Sequence, residues 1–308
     1  DFCLSRGLGD VYKRQVDVNL SNTVCLRTSQ GIIVIDPGMM GFNGDFPLRS
    51  LIGGQRTVAT LISHGHQDHW NLAGQVSRGP IYRSWLTSRL IGHHLRFERN
   101  PQLDQAWRRM KAIDPGQEIT LNSIGIRTFP LPHTIPATMG FDIRGEKRVV
   151  CLGDFRLNGW DYGSRAETLA RLKNLASQKV DILALNIINA HFDGVTPREG
   201  IVIEFFTDIL ARAEGRVIIA CFSTNFERID RMTKVAKLFR RPVDFCGTGM
   251  EFANRILEIE LVESWSEERA VLFATGCQAE EWSVLWRIAN NEDSPLELRS
   301  GDTLVFSS

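Results

Sequence analysis

Four times in the first half of this chain, an apolar run stops at an aspartate or a histidine. GIIVIDPG (Gly31 to Gly38) stops at Asp36 and a Pro-Gly turn. TVATLISHGH leads into His64 and His66. ITLNSIGIRTFPLPH alternates apolar and polar residues from Ile119 to Ile126 and ends at His133, and KRVVCLGDFR ends at Gly153-Asp154. Runs of this length and pattern predict strands. One strand-end aspartate is an ordinary turn residue. Four such ends in series predict a layered α/β fold whose site lies where loops converge beyond the carboxyl ends of the strands. Between them, PIYRSWLTSRLIGHHLRFERN and PQLDQAWRRMKAI read as helices.

The second run carries the densest chemistry. In LISHGHQDHWN (Leu61 to Asn71), three of the 7 histidines and one aspartate fall within six positions. Alternate residues of an extended segment point the same way, so His64 and His66 can share one metal ion. Asp68 and His69, one turn further on, can face a second. Imidazole and carboxylate are the ligands that borderline divalent ions prefer, zinc above all. The spacing HxHxDH therefore predicts a dinuclear metal site, in which paired ions generate hydroxide at neutral pH and steady charge on a phosphoryl or acyl centre.

Composition bounds the rest. An apolar content of 43% in 308 residues is enough to build a core, and the formal net charge of +0 gives no global reason to expect a nucleic-acid or membrane-surface partner. No apolar run approaches the ~20 residues that span a bilayer. Six cysteines are scattered without a CxxC pair, which predicts buried free thiols in a reducing cytoplasm. Residues 1 to 15 include DVYKRQ, which reads as translated sequencing adapter, and are set aside as an assembly scar. The chain stops at GDTLVFSS, directly after a strand-like run, and is read as a fragment cut at both ends.

SHGHQDH after an apolar strand resembles the central motif of the metallo-β-lactamase fold. Asp36 in IDPG, His133 in PHTIP and Asp154 in LGDFR stand where that family has its other motifs, in order. HTIPATMGFDI, VIIACFSTNFERIDRMTKVAKLFRRPVDFCGTGM and the stretch from ATGCQAEEW to GDTLVFSS resemble the β-CASP ribonucleases of the ribonuclease J type. The resemblance implies an αββα metallo-β-lactamase sandwich over residues 16–190 and an inserted, incomplete β-CASP α/β domain over residues 191–308. Substrate is expected in a cleft between them.

The resemblance also implies roles. His64, His66 and His133 would hold the first of two divalent ions, zinc or manganese. Asp68 and His69 would hold the second and take part in catalysis, and Asp154 would bridge both. Asp36 would orient the metal-binding loop. Asn186, in LNIINA, stands where the family carries an acidic residue, so Asn186→Asp is expected to speed cleavage; Ala137 replaces another acidic position. The family's last histidine motifs have no counterpart before Ser308, so the fragment alone is expected to be nearly inactive and to bind its second ion weakly. Ser223, Thr224 and Asn225, at a strand-to-helix junction, would hold an RNA phosphate or simply cap the helix. Arg228, Arg231, Lys234 and Lys237 fall near one helical face, either solvated or along an RNA channel. His93, His94, Trp70, Trp85 and Trp107 read as structural or surface residues, and His191 as ambiguous.

The resemblance implies a metal-dependent ribonuclease acting on single-stranded RNA, cytoplasmic and homo-oligomeric in its full-length parent. A thioesterase- or lactonase-type hydrolase on the same fold, and a weakened RNA-binding homologue, remain the alternatives.

Overall fold

The computed structural model describes residues 2–4, 11–13, 22–39, 48, 52, 54–76, 79–157, 165–186, 193–194, 197–259 and 268–307. The chain divides into two compact units, Asp1–Val195 and Thr196–Ser308.

The first unit is built on two sheets. One has seven strands in sequential order: β1 (Phe2–Leu4), β2 (Val11–Lys13), β3 (Val24–Thr28), β4 (Gly31–Ile35), β5 (Thr57–Leu61), β6 (Ile81–Arg83) and β7 (Met110–Ala112). The first two lie in the segment set aside as a scar and pair at the sheet edge, β2 against β3. The second sheet contains β8 (Glu118–Leu121), β9 (Ile124–Pro130), β10 (Met139–Arg144), β11 (Arg148–Cys151) and β12 (Ile182–Ala184), in the order β12-β11-β10-β9-β8.

Leu26, Ile33, Ile35 and Leu61 of the first sheet pack directly on Ile126, Met139, Phe141 and Ile143 of the second. Truncating a fully buried residue such as Phe141 to Ala would cost about 3–5 kcal/mol. The outer face of the first sheet is covered by α1 (Trp85–His94) and α2 (Pro101–Arg108), through Ile62, Ile81, Ile91, Leu103 and Ala106. The outer face of the second is covered by α3 (Arg165–Ala176), whose Leu172 and Leu175 meet Phe129, Leu131, Val150 and Leu152. The order is helix, sheet, sheet, helix, which is the αββα sandwich.

Both runs expected to be wholly helical also contain a strand. Ile81–Arg83 and Met110–Ala112 extend the first sheet as β6 and β7, so the helices are shorter than the runs. Ser84 and Asn100 cap those helices by accepting the Thr87 and Leu103 amides. The run expected to form one strand up to His133 is a hairpin, because Asn122 turns the chain with φ 55° between β8 and β9.

Strand direction places the site. β4 and β5 are parallel neighbours, so Asp36 and Ser63-His64 leave the same sheet edge. β9 and β11 are both antiparallel to β10 and therefore run alike, which brings His133 and Asp154 out at one edge of the second sheet. The Met139 amide donates to the Ser63 carbonyl at 3.1 Å and ties the two edges together.

The second unit holds a parallel sheet of β13 (Val217–Cys221), β14 (Val243–Cys246), β15 (Val271–Ala274) and β16 (Thr303–Ser307), in the order β14-β15-β13-β16. Its helices are α4 (Glu199–Arg212), α5 (Phe226–Leu238), α6 (Thr248–Leu257) and α7 (Val284–Ala289). Ile218, Leu272, Cys246 and Ala274 pack against Val284, Ile288 and Leu296 on one face. Arg228 turns inward and pairs with Glu199 through two bonds of 2.9 Å, while its third nitrogen reaches Ser307. It is therefore not part of an exposed basic face. On the same helix, Arg231 pairs with Glu227 and Lys234 with Asp230, each four residues back.

Among the described residues, Cys25, Cys151, Cys221 and Cys246 are free and buried, as expected, and Cys277 is free and partly exposed. Burial pushes the thiol pKa values of Cys25 and Cys221 up to about 11 and about 12, which keeps them unreactive at neutral pH. No helix among the described residues is long and apolar enough to cross a membrane.

Candidate metal centre

The strand-end loops bring His64, His66, His69, His133 and Asp154 to one place. The nitrogens of His64 Nε2 and His133 Nε2 lie 2.8 and 3.1 Å from His66 Nδ1. Among the described residues, two groups have ligand atoms within 4.8 Å of one another: His64, His66 and His133, and His64, His69 and Asp154. Asp68 is not in either group. It stands 3.6 Å from His69 Nε2, with its carboxylate accepting from Asn22 Nδ2 at 2.7 Å. His64 belongs to both groups, and Asp68 stands at the edge of the second, beside His69.

Local structure fixes each ligand. The Gln67–His69 turn of 3-10 helix swings His69 back under the loop, where it is buried. Asp36 has φ 46°, a conformation that an aspartate tolerates better than most residues. Its carboxylate accepts from the Ser63 amide at 2.7 Å, from Ser63 Oγ at 2.7 Å and from His69 Nδ1 at 3.0 Å. Ser63 Oγ also lies 2.9 Å from His64 Nδ1. One buried carboxylate therefore sets the rings of two candidate ligands, and in each the nitrogen turned away from Asp36 and Ser63 faces the site. A Cβ on Gly38 would fall 2.1 Å from the Asp68 carbonyl oxygen, so the IDPG loop and the histidine loop lie together only because residue 38 has no side chain.

Electrostatics divides the histidines. Burial and the neighbouring imidazoles hold His64 well below its ordinary value. Burial likewise lowers His66 to about 4 and His133 to about 3. These three rings are neutral at pH 7 and offer lone pairs. Burial also works to lower His69, but the Asp36 and Asp154 carboxylates outweigh it and raise the value to about 10. Burial works to raise Asp154; the bond and charge of His69 and the Asn186 amide win, and hold it well below the usual carboxylate range. Asn186 Nδ2 donates to Asp154 Oδ1 at 2.7 Å.

The residues fit a divalent ion. The nitrogens of two neutral imidazoles, His64 and His133, crowd into hydrogen-bond range of a third, His66 Nδ1, and the buried His133 Nδ1 has no hydrogen-bond partner. An imidazole set with an ionised carboxylate beside it is the donor chemistry of zinc and similar ions.

Residues 16–185 match the model of the metallo-beta-lactamase superfamily. The chain belongs to that superfamily. Residues 214–308 match the ribonuclease J beta-CASP domain, and the chain is homologous to ribonuclease J proteins. It is 26% identical to ribonuclease J 1 of Streptococcus pyogenes serotype M3, over 98% of this chain and 56% of that protein. It is 27% identical to ribonuclease J of Thermus thermophilus, over 81% of this chain and 47% of that protein. The chain thus spans about half the length of the curated relatives it matches. A protein of unknown function from Enterococcus faecalis V583 shares the fold, with a TM-score of 0.60 at 16% identity over 83% of this chain and 74% of that one. Among its described residues, this metallo-β-lactamase and β-CASP chain carries two candidate metal-ligand clusters.

The other residues marked in the sequence lie elsewhere. His93 stacks edgewise on Phe97, and His94 on Trp70 while pairing with Glu98. Trp70 is buried and Trp107 partly so, whereas Trp85 is 46% exposed. Asn225 is buried and caps α5 by accepting the Arg228 amide. His191 lies outside the described residues. Asn22 and Ser63 were missed. Ser63 was legible in principle, standing directly before the histidine motif; Asn22, 46 positions from Asp68, carried no signal.

Proposed function

We propose that this chain belongs to a metal-dependent ribonuclease that hydrolyses phosphodiester bonds of single-stranded RNA, in RNA processing or decay. The observation that carries this reading is the convergence of four imidazoles and Asp154 at the strand ends, in a chain whose second unit matches the ribonuclease J β-CASP domain. That match favours RNA over a small thioester or lactone. The cytoplasm, with its reduced thiols, is the compartment that suits the free cysteines.

His64, His66 and His133 would hold one ion, and His69, Asp68 and Asp154 a second, with His64 close to both groups. Bound zinc or manganese would supply a lowered pKa for water and a counter-charge for the phosphoryl oxygens. The chain's own residues do the rest. Asp36 keeps the Nδ1 proton of His69 turned away from the site, leaving Nε2 to face it. Ser63 orients His64, Asn22 holds Asp68, and Asn186 holds Asp154. Thr224, at the β13–α5 junction, would contact backbone phosphate, while Ser223 beside it lines a cavity over the strand ends; Asn225 would act by holding that junction.

The test is cleavage of 5′-phosphorylated single-stranded RNA by the natural protein loaded with Zn2+ or Mn2+, against thioester and lactone substrates in parallel. RNA is expected to be cut, and His66→Ala to stop cleavage while abolishing tight metal binding. Turnover of the small substrates with RNA left intact would overturn the reading.

A further inference from the structure

A cavity of about 650 Å³ opens within the second unit, over the carboxyl ends of β13, β14 and β15. Its walls include residues from the three segments that follow those strands: Phe222-Ser223, Gly247 to Gly249, and Thr275 with Glu280 to Val284. β15 and β13 are neighbours, yet the chain leaves β13 toward the β14 side and leaves β15 toward the β16 side. Segments that part in this way leave a crevice between them, the usual ligand position in an open parallel sheet. The walls close tightly enough to require glycine. A Cβ on Gly249 would lie 2.9 Å from Ser223 Oγ, and one on Gly276 would lie 2.8 Å from both Ser283 Oγ and Leu285 Cβ.

Trp282 stands on the cavity wall and is the exceptional residue. Its backbone is left-handed, with φ 64°, a region that bulky side chains rarely adopt. Burial does not compensate, for the side chain is 71% exposed. Its ring centroid lies 5.3 Å from that of Trp286, tilted by 45°. A strained backbone that holds an indole out beside a cavity presents a flat apolar face to a ligand.

The polar lining selects the ligand. Glu251, Glu280, Glu281 and Asp293 line the cavity with Arg287 as the one cation among the described lining residues, so the lining repels a bare phosphate. Carboxylates accept from exocyclic and ring N–H groups of nucleobases, whereas Ser223, Thr248 and Ser283 bring hydroxyls that can donate to a base carbonyl. An alkylammonium offers no acceptor to those hydroxyls, and the one indole among the described lining residues, that of Trp282, does not enclose it. A flat group with both donors and acceptors on its edge satisfies the whole lining.

We propose that this cavity holds one unstacked, amino-bearing nucleobase of the single-stranded RNA substrate, stacked on Trp282 and read along its edge by Glu281 and its acidic neighbours. This rests on the ribonuclease reading above and adds a base preference: cytosine, which presents an amine, over uracil, which presents a carbonyl there.

The experiment is fluorescence anisotropy of short labelled oligocytidylate and oligouridylate with the metal-chelated protein, so that binding is measured without cleavage. Oligocytidylate is expected to bind tighter by roughly tenfold. Trp282→Ala should weaken it about 5- to 150-fold, the equivalent of one stacked base. Trp282→Phe should restore most of the loss, and Glu281→Gln should narrow the cytidine–uridine difference. Melting temperatures near that of the unaltered protein show that each variant is folded. Equal binding of both oligonucleotides, or affinity unchanged in Trp282→Ala, overturns the base site while leaving the ribonuclease reading intact. Displacement of oligocytidylate by tetramethylammonium as readily as by cytidine also overturns it, in favour of a cation pocket. Failure to bind either oligonucleotide overturns the base site, and joined to absence of cleavage by the metal-loaded protein it overturns the ribonuclease reading as well.

Discussion

Asp36→Asn separates charge from shape at the centre of the site. Asparagine fits the left-handed backbone at φ 46° and keeps the side-chain volume. The carboxylate now accepts from three donors: the Ser63 amide, Ser63 Oγ and His69 Nδ1. With asparagine, the remaining oxygen can keep the Ser63 amide, and the new NH2 then faces Ser63 Oγ and His69 Nδ1. The hydroxyl can rotate its proton away, but His69 Nδ1 must give up its own. In the neutral ring that a metal requires, the proton then sits on Nε2, the nitrogen that faces Asp68 and Asp154 at 3.6 Å each. A ligand nitrogen is lost without loss of the fold. Disrupting such an orienting carboxylate costs about 10–100-fold in metal affinity, and the weakened charged hydrogen bonds cost about 1.5–3 kcal/mol of stability. Competition for Zn2+ with a chromophoric chelator measures the first, and urea unfolding of the metal-free protein the second. The pH dependence has a definite sign. In the metal-free protein His69 is raised from 6.5 to about 10, burial being outweighed by Asp36 and Asp154. Its stabilising contribution is whole below pH 6.5 and disappears as pH rises through about 10. Asp36→Asn should reduce that alkaline loss. Unchanged zinc affinity in a folded Asp36→Asn protein would refute the reasoning.

Gly38→Ala should lower both stability and metal affinity, because its Cβ would meet the Asp68 carbonyl oxygen at 2.1 Å and that backbone must move; calorimetric melting with and without Zn2+ checks it, and unchanged melting under both conditions counts against the close approach. Asn186→Asp places a carboxylate beside Asp154 where an amide now donates at 2.7 Å; it should destabilise the metal-free protein by like-charge repulsion and raise metal-dependent RNA cleavage, by up to ~10-fold. An unchanged rate would remove residue 186 from the catalytic account. Asp142 is fully buried between Arg144 and Arg148, whose bonds outweigh burial and hold its pKa below 3.8. Its contribution is therefore whole above pH 3.8 and lost as pH falls through the lowered value. Asp142→Ala should cost about 3–5 kcal/mol by leaving a buried arginine unpaired, visible in urea unfolding at pH 7.

The strand-end pattern made most of the site legible, because strands that end in Asp or His are constrained by period, apolar content and turn chemistry together. Asp36, His64, His133 and Asp154 are where such strands place them. What period cannot convey is which apolar residues belong to a short buried strand abutting a helix. Ile81–Arg83 and Met110–Ala112 were merged into helical runs for that reason. Asn122 was hidden because a single left-handed asparagine in an alternating run leaves both flanks strand-like. Arg228 looked like part of a basic face because spacing does not reveal that Glu199, 29 positions away, draws it into the interior. Asn22 reaches Asp68 only through the fold.

The ligand groups draw from both layers of the sandwich: His64, His66 and His69 from the first sheet, His133 and Asp154 from the second. His66 and His133 are separated by 67 positions along the chain. An ion gripped by both would therefore act as a clasp, joining the layers at one end much as a disulfide closes a long loop. Chelation should then loosen the molecule unevenly. Amide exchange should quicken first around Ser63 and Met139, where one backbone hydrogen bond laces the layers, and last around the Arg148–Asp142 ion pair.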